Sequence, residues 1–242
     1  QQLGLEAGSI QKSNGVEKRH FADLKNGETT SQMAAWALLD ALKRTEWTPQ
    51  DLDLIVFASA GPEQGIPDTA PLIQDKIGLG HSGCACFSVH STCLSALTAL
   101  DIAAGFLELG RHQRIAIVSA ELSSLSINPN DPKTYTLFGD AAVAILVERT
   151  PDGEASRIHN SHFVTFGEAA LLTEVPGCGT RRHPNDPSLT FADNTFRMKG
   201  REILRYSLQR APAVLGDIWP SLPNGSEDID IIIPHQPSRI GM

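Results

Sequence analysis

A cysteine between a short apolar run and a longer amphipathic one is the first residue here that could do chemistry. Cys93 interrupts the segment CACFSVHSTCLSALTALDIAAGFLEL, whose residues 84–89 predict a buried strand. Apolar residues then recur at a helical period, which predicts a helix N-terminus at Cys93. Unpaired N–H groups and the positive end of the helix dipole favour a nucleophilic thiolate there. The alternative is a buried, inert thiol, since free cysteine is among the most buried residue types.

A histidine near the end of the sequence occupies a similar position. The apolar run at residues 229–233 predicts a strand, and His235 follows it directly, before a predicted helix. A thiol nucleophile needs a partner that accepts its proton, and histidine is the usual one. Spacing alone leaves open whether Cys93 and His235 pair or are both ordinary core polar residues.

The same region contains a second arrangement, in which thiols and an imidazole could ligate a metal ion. Its members would be Cys84, Cys86, His90 and Cys93. Their spacing is not one of the usual structural zinc patterns, so we expect no metal site. Cys178, which lies between glycines, is expected to be an incidental exposed thiol.

The elements that must position these residues alternate between strands and helices. Further strands are predicted at residues 54–60, 115–120, 141–147 and 159–164, and a turn followed by an edge strand at residues 15–21. Helices are predicted from residues 29–31 to 42, at 70–77 and at 196–215. This order predicts an α/β fold with a mostly parallel sheet and helices on both faces. Active sites in such sheets lie at the carboxyl ends of the strands, where topology places Cys93.

A polar segment containing proline and glycine, at residues 150–154, predicts a boundary between two halves. Residues 1–150 would form the half with Cys93, and residues 151–242 the half with His235. The two halves are consistent with a diverged duplication.

Composition excludes some classes of function. The 242 residues are 41% hydrophobic and 20% charged, which is ordinary for a globular protein. A net charge of -8 and a pI near 5.4 argue against nonspecific binding to nucleic acid or to an anionic membrane. Four cysteines and no charged-then-apolar leader predict a reducing, cytoplasmic location. The longest apolar run, residues 141–147, is strand-sized and too short to span a bilayer.

Three segments, SVHSTCLSALTALDIAAGFLELG, TYTLFGDAAVAILVE and DIIIPHQPSRIG, resemble the β-ketoacyl-acyl-carrier-protein synthase III group of thiolase-fold condensing enzymes in order and spacing. The resemblance implies duplicated α-β-α-β-α layers with mixed, mostly parallel sheets, the second half incomplete in this chain. It makes Cys93 the residue that accepts an acyl group from a thioester, with its own N–H as one oxyanion donor. It makes His235 the second catalytic residue, acting when a malonyl thioester is decarboxylated and its carbanion attacks the acyl-cysteine.

The resemblance also assigns residues that contact the substrate or a carrier protein. It places Phe138 beside the cysteine, and Ile66 and Met198 along the acyl pocket and its entrance, with plain core packing as the alternative. Arginines at four-residue spacing would share one helix face; they are Arg197, Arg201 and Arg205. Such a face is either simply solvated or a docking patch for the acidic helix and phosphate of an acyl carrier protein.

Substrates, partners and departures from the family follow from the same resemblance. It implies acyl-CoA or acyl-carrier-protein thioesters as substrates, no cofactor or metal, and a homodimer. The family's catalytic asparagine and glycine-rich oxyanion segment would lie beyond Met242, and its first strand before Gln1, so we expect a fragment of a longer enzyme. Two alternatives stay open: acyl transfer to an oxygen or nitrogen acceptor with His235 as general base, or a non-catalytic subunit that pairs with a complete partner.

Overall fold

The computed structural model describes residues 6, 8–220 and 229–236, apart from the side chains of residues 13, 14 and 133. The helices are α1 (Ser9–Asn14), α2 (Thr30–Leu42), α3 (Thr69–Lys76), α4 (Ser95–Glu108), α5 (Pro132–Tyr135) and α6 (Gly200–Ile218). The strands are β1 (Leu54–Ala58), β2 (Ala85–Val89), β3 (Arg114–Leu122), β4 (Asp140–Glu148), β5 (Thr173–Glu174) and β6 (Arg197–Met198). None of the helices in the described ranges is long and apolar enough to cross a membrane.

The described residues form two compact units. The sheet unit consists of His20–Leu122 and Gly139–His159. The α6 unit consists of Ser123–Phe138 and the described residues up to Arg19 and from Asn160 onwards. The predicted halves, residues 1–150 and 151–242, have different bounds from these units and stay a prediction.

The sheet unit is built on a four-stranded sheet with the order β2-β1-β3-β4. The central strand β1 runs parallel to both β2 and β3, with Ile55 opposite Cys86 and Phe57 opposite Val118. Only β4 runs antiparallel, beside β3. The mostly parallel α/β sheet predicted from the alternating pattern is therefore confirmed, and the carboxyl ends of β1, β2 and β3 meet at one edge.

Helices cover both faces of this sheet, and every residue of β1 is therefore buried. Side chains alternate between the faces along a strand. Ile55 and Phe57 belong to a core shared with α2 and α3, whereas Leu54 and Val56 belong to a core shared with α4. This two-sided burial explains why β1 is a continuous apolar run in the sequence and not an alternating one.

Helix α6 is held against the short 3-10 segment Gly167–Leu172 within its own unit. The Tyr206 hydroxyl donates to Oε1 of Glu168 at 2.5 Å, and Arg210 donates to the same oxygen at 3.1 Å. The guanidinium of Arg210 also lies 4.9 Å from the ring centroid of Phe166. A cation–π contact and two hydrogen bonds to one carboxylate thus fix this side of the helix.

Several predicted elements are wrong. The segments 15–21, 159–164 and 229–233 contain no strand. The side chains of residues 231–233 are 64–77% exposed, and an apolar run without a neighbouring strand has no partner for its backbone groups. The helix predicted from residue 196 begins at Gly200, because Arg197 and Met198 pair with β5 as the strand β6.

Candidate active site

Cys93 lies on a short turn between a parallel strand and a helix. Strand β2 ends at Val89, a 3-10 turn spans Thr92–Leu94, and α4 begins at Ser95. Cys93 is exposed. This placement at a helix start, at the carboxyl edge of the sheet, agrees with the sequence prediction.

The backbone just before Cys93 is strained. Thr92 has a φ of 49°, in the left-handed region that a β-branched residue rarely adopts. A conformation of this kind costs on the order of 1–3 kcal/mol and persists only where the surroundings hold it. The turn is held by the hydroxyl of Ser95, which accepts from the Ser91 N–H at 2.9 Å and lies 2.7 Å from the Thr92 carbonyl oxygen.

A second serine connects this turn to the rest of the sheet edge. Ser59 directly follows β1. Its carbonyl oxygen lies 3.1 Å from both the Ser95 hydroxyl and Nδ1 of His90. The Ser59 hydroxyl lies 2.9 Å from Oε1 of Glu121, which also accepts from the Ala60 N–H at 2.6 Å. Because a carbonyl oxygen only accepts, the bond to Ser59 places a proton on Nδ1 of His90.

The electrostatics of Cys93 oppose the sequence prediction of a favoured thiolate. Partial burial raises the pKa of the Cys93 thiol, and the negative charge of Glu121 raises it further. The backbone N–H of Cys93 itself lowers this pKa, but the net direction is upward. The prediction fails because the helix N-terminus is a local effect, whereas burial and the carboxylate come from the tertiary structure. A proton acceptor is therefore needed to form the nucleophile.

The pKa of the Glu121 carboxyl is also shifted from its ordinary value. Burial raises the pKa of its carboxyl, while the hydrogen bonds from Ala60 and Ser59 and the nearby His90 lower it, and the net shift is upward. A carboxylate with a raised pKa is a better proton acceptor than a solvated one. The sheet unit thus places an acidic group and an imidazole in the neighbourhood of the candidate nucleophile.

Ile66, the predicted acyl-pocket residue of the sheet unit, is 89% exposed on the loop between β1 and α3. This loop is anchored on both sides of Ile66. Oε2 of Glu63 accepts from the Ser31 N–H at 2.6 Å, near the start of α2. Oδ1 of Asp68 accepts from the Ser88 hydroxyl at 2.6 Å, on β2. The side chain of Ile66 is therefore presented by an ordered loop, and its role in an acyl pocket stays a prediction.

The remaining predicted residues belong to the α6 unit. Phe138 packs edge-on against Phe196, with ring centroids 4.9 Å apart, and Met198 is half-buried in β6. His235 is exposed in a segment without regular structure. The strand expected before His235 is wrong, since residues 229–233 form no strand, and the helix expected after it lies outside the described residues. The catalytic and pocket roles of Phe138, Met198 and His235 stay predictions.

The predicted arginine face is reduced to two members. Arg197 lies in β6 and not in the helix, and its guanidinium donates to the Ala192 carbonyl at 2.9 Å and lies 3.4 Å from Asp193. Arg201 and Arg205 lie in α6, are exposed, and make no salt bridge to any other residue that the structure describes. Their four-residue spacing places both on one helix face.

The structure also describes the four cysteines and the residues of the alternative metal arrangement. All four cysteines are free thiols; Cys178 is exposed, as expected, and Cys84 and Cys86 are half-buried. Burial raises the pKa of Cys84 to about 11. Within residues 6, 8–220 and 229–236, no group of three or more His, Cys, Asp or Glu side chains is arranged to hold a metal ion.

Sequence reasoning missed the polar residues that surround Cys93. Ser59 and Glu121 stand at the ends of predicted strands, and Ser95 is two positions after Cys93. The topological argument that placed Cys93 at the carboxyl edge applies equally to residues that end the neighbouring strands. That signal was sufficient to point to Ser59 and Glu121, although it could not specify their hydrogen bonds.

Comparison with known proteins agrees with this geometry. A family model described as 3-oxoacyl-[acyl-carrier-protein (ACP)] synthase III matches residues 87–167, which include Cys93. The chain is 30% identical to the β-ketoacyl-[acyl-carrier-protein] synthase III of Methylococcus capsulatus over 94% of this chain and 67% of that protein. It is also 30% identical to the acetoacetyl CoA synthase NphT7 of Streptomyces sp. strain CL190, over 98% of this chain and 70% of that one. It thus spans about two thirds of the length of both relatives.

A solved structure shares the fold. The crystal structure of 3-oxoacyl-[acyl-carrier-protein] synthase III from Aquifex aeolicus superposes with a TM-score of 0.81 at 26% identity, covering 98% of this chain and 70% of that one. The thiolase-like α/β fold implied by the resemblance is therefore confirmed.

Proposed function

The chain belongs to the 3-oxoacyl-[acyl-carrier-protein] synthase III family, and on this premise we propose that it is an acyltransferase with Cys93 as its nucleophile. The Cys93 thiolate attacks the carbonyl carbon of an acyl thioester, the carrier thiol leaves with a proton, and an acyl-cysteine forms. A malonyl thioester then loses carbon dioxide. Its carbanion attacks the acyl-cysteine carbonyl, which releases Cys93 and a 3-oxoacyl thioester.

The observation that best supports this assignment is the conformation of the Cys93 turn. An exposed cysteine, whose thiol is partly enclosed, follows a threonine in the left-handed region at the carboxyl edge of a parallel sheet. Strained backbone of this kind clusters at functional sites, where it holds a reacting group in one orientation.

Because the pKa of the Cys93 thiol is raised, the proposal requires a neighbouring group that accepts its proton. The Cys93 proton must be removed before attack; Glu121 is the carboxylate whose charge acts on the thiol, and His90 in turn acts on Glu121. From the family resemblance we propose His235 as the residue that stabilises the malonyl thioester oxygen in the second half-reaction. Phe138, Ile66 and Met198 are proposed to line the substrate site.

The proposed substrates are thioesters of CoA or of an acyl carrier protein, with no further cofactor. One relative is named for a carrier-protein reaction and another for a CoA product, so both carriers are included. Arg201 and Arg205, exposed on one face of α6, are proposed to dock the anionic surface of the carrier protein. A homodimer and a cytoplasmic location complete the proposal, the latter in keeping with four free thiols.

Intact-mass analysis after incubation with acyl-CoA and with acyl-carrier protein tests the nucleophile. Wild-type protein is expected to gain the mass of one acyl group, and Cys93→Ala to gain none. Cys178→Ala removes the other exposed thiol and is the matched control that keeps the adduct. Absence of an adduct from wild-type protein, or its survival in Cys93→Ala, would overturn the proposal.

A malonyl thioester added to the acylated protein tests the second half-reaction. Condensation predicts carbon dioxide release and a 3-oxoacyl thioester, both reduced in His235→Ala while the acyl adduct still forms. An acylated protein that leaves malonyl thioesters intact and loses its acyl group to an alcohol or amine would instead support transfer to an oxygen or nitrogen acceptor. Absence of both adduct and product would support a non-catalytic subunit.

A further inference from the structure

One hydroxyl group in the sheet unit has more partners than helix formation requires. Ser95, the first residue of α4, is 2% exposed. Its oxygen accepts from the Ser91 N–H at 2.9 Å and lies within hydrogen-bonding distance of the carbonyl oxygens of Thr92, at 2.7 Å, and Ser59, at 3.1 Å. The first two contacts enclose the strained turn, and the third joins it to a residue 36 positions away.

Ser59 makes this long-range contact specific. It is 4% exposed, and its hydroxyl lies 2.9 Å from the Glu121 carboxylate. Its carbonyl oxygen is shared between Ser95 and His90. The two buried serines therefore connect the Cys93 turn to the Glu121 carboxylate and to the His90 ring.

From this geometry we propose that Ser95 is a positioning residue, which holds the turn of Cys93 at a fixed place relative to Ser59, Glu121 and His90. The inference rests on the proposed role of Cys93 as nucleophile. Without the hydroxyl, the Ser91 N–H loses the acceptor seen here and Thr92 loses a contact that holds its left-handed conformation. The thiol then samples positions in which it is poorly aligned for attack and less enclosed.

The test compares Ser95→Ala with wild type in single-turnover acylation of Cys93 by acyl-CoA. The maximal rate is expected to fall about 10- to 100-fold, the loss typical of a misplaced reacting group, while the half-saturating concentration changes less than about threefold. Ser95→Thr keeps the hydroxyl and is expected to restore most of the rate. Thr45→Ala is the control, because its hydroxyl donates to the Leu42 carbonyl at 3.0 Å, at the end of α2 and outside the Cys93 turn.

A second readout needs no acyl substrate. The rate of Cys93 alkylation by iodoacetamide is followed against pH by peptide mass spectrometry, and Ser95→Ala is expected to move this profile to lower pH as the thiol becomes less enclosed. The profiles of Cys84 and Cys86, in the same sheet unit as Ser95, are expected to stay in place. A general loss of stability of this unit would not move one thiol and spare the other two.

The outcomes separate the two proposals. If wild-type protein forms no acyl-Cys93, the proposed function fails while the alkylation profile still tests the positioning role. If Ser95→Ala has the wild-type maximal rate and alkylation profile, or shows the same changes as Thr45→Ala, the positioning role is overturned. If Ser95→Ala does not fold, Ser95→Gly, which also lacks the hydroxyl, replaces it in both measurements and is held to the same outcomes.

Discussion

The hydroxyl of Ser59 lies 2.9 Å from Oε1 of Glu121, which joins the ends of two adjacent parallel strands. The Ala60 N–H holds the same oxygen at 2.6 Å, so the carboxylate cannot turn freely towards solvent. Its charge acts on Cys93, in the turn that follows the third parallel strand. A nucleophile and an acidic group that are 28 positions apart in the sequence therefore share one edge of the sheet.

Glu121→Gln is expected to lower the pKa of the Cys93 thiol. The carboxylate raises that pKa, so removing its charge increases the thiolate fraction at a given pH and moves the alkylation profile to lower pH. Iodoacetamide labelling of the Cys93 peptide between pH 6 and 10 measures the shift. Cys84 serves as an internal reference, because a pKa of about 11 leaves only about one thiolate in a thousand at pH 8.

The matched control for this variant is Glu108→Gln, which removes an exposed carboxylate at the C-terminal end of α4, far along the helix from Cys93. Its profile is expected to coincide with that of wild type. An unchanged profile in Glu121→Gln would contradict the electrostatic effect assigned to this residue.

Phe57→Ala is expected to destabilise the sheet unit strongly. Phe57, in β1, is 2% exposed, and truncating a buried phenylalanine to alanine typically costs about 3–5 kcal/mol of unfolding free energy. Urea denaturation followed by circular dichroism measures the loss. Leu97→Ala, at a side chain 57% exposed on α4, is the control and is expected to change stability by less than about 0.5 kcal/mol. Equal losses in the two variants would show that β1 is not the centre of the core.

Charge reversal at Arg201 and Arg205 is expected to weaken carrier-protein binding. Two exposed cations on one helix face would pair with anions of the carrier, so Arg205→Glu should reduce affinity about tenfold, and the double variant more, at low salt. Isothermal titration calorimetry at two salt concentrations measures this effect. Arg44→Glu reverses an exposed cation of the sheet unit and is the control. A loss of the same size in Arg44→Glu would indicate general electrostatics and no docking face.

Asp193 is expected to titrate far below an ordinary aspartate. Hydrogen bonds from the Thr190 N–H and hydroxyl, assisted by Arg182, lower the pKa of Asp193 from 3.8 to about 2. Because the folded-state pKa is depressed, these bonds stabilise the loop fully above pH 3.8 and are lost as pH falls towards 2. Carbon-detected NMR titration of the side-chain carboxyl, assigned with Asp193→Asn, measures the midpoint.

Thr190→Val removes the hydroxyl donor and keeps the backbone donor, so the midpoint of Asp193 is expected to rise in this variant without reaching 3.8. A wild-type midpoint near 3.8 would mean that the loop hydrogen bonds do not persist in solution.

Local patterns in the sequence determined the sheet unit and the place of its nucleophile. The apolar run of β1 and the switch from strand to helix around Cys93 depend on residues close together in the chain, so periodicity was sufficient to predict them. The order of strands and helices then placed Cys93 at the carboxyl edge of a parallel sheet.

Only the tertiary structure decided what surrounds the thiol. The hydrogen bonds among Ser95, Ser59 and Glu121 join residues separated by 36 and 62 positions, and no local period encodes them. Such separation in sequence also explains the two largest errors of the sequence-based predictions. Residues 229–233 match a strand in composition but have no partner strand among the described residues. Burial and a carboxylate distant in sequence raise the pKa of Cys93, and the sequence makes neither of them visible.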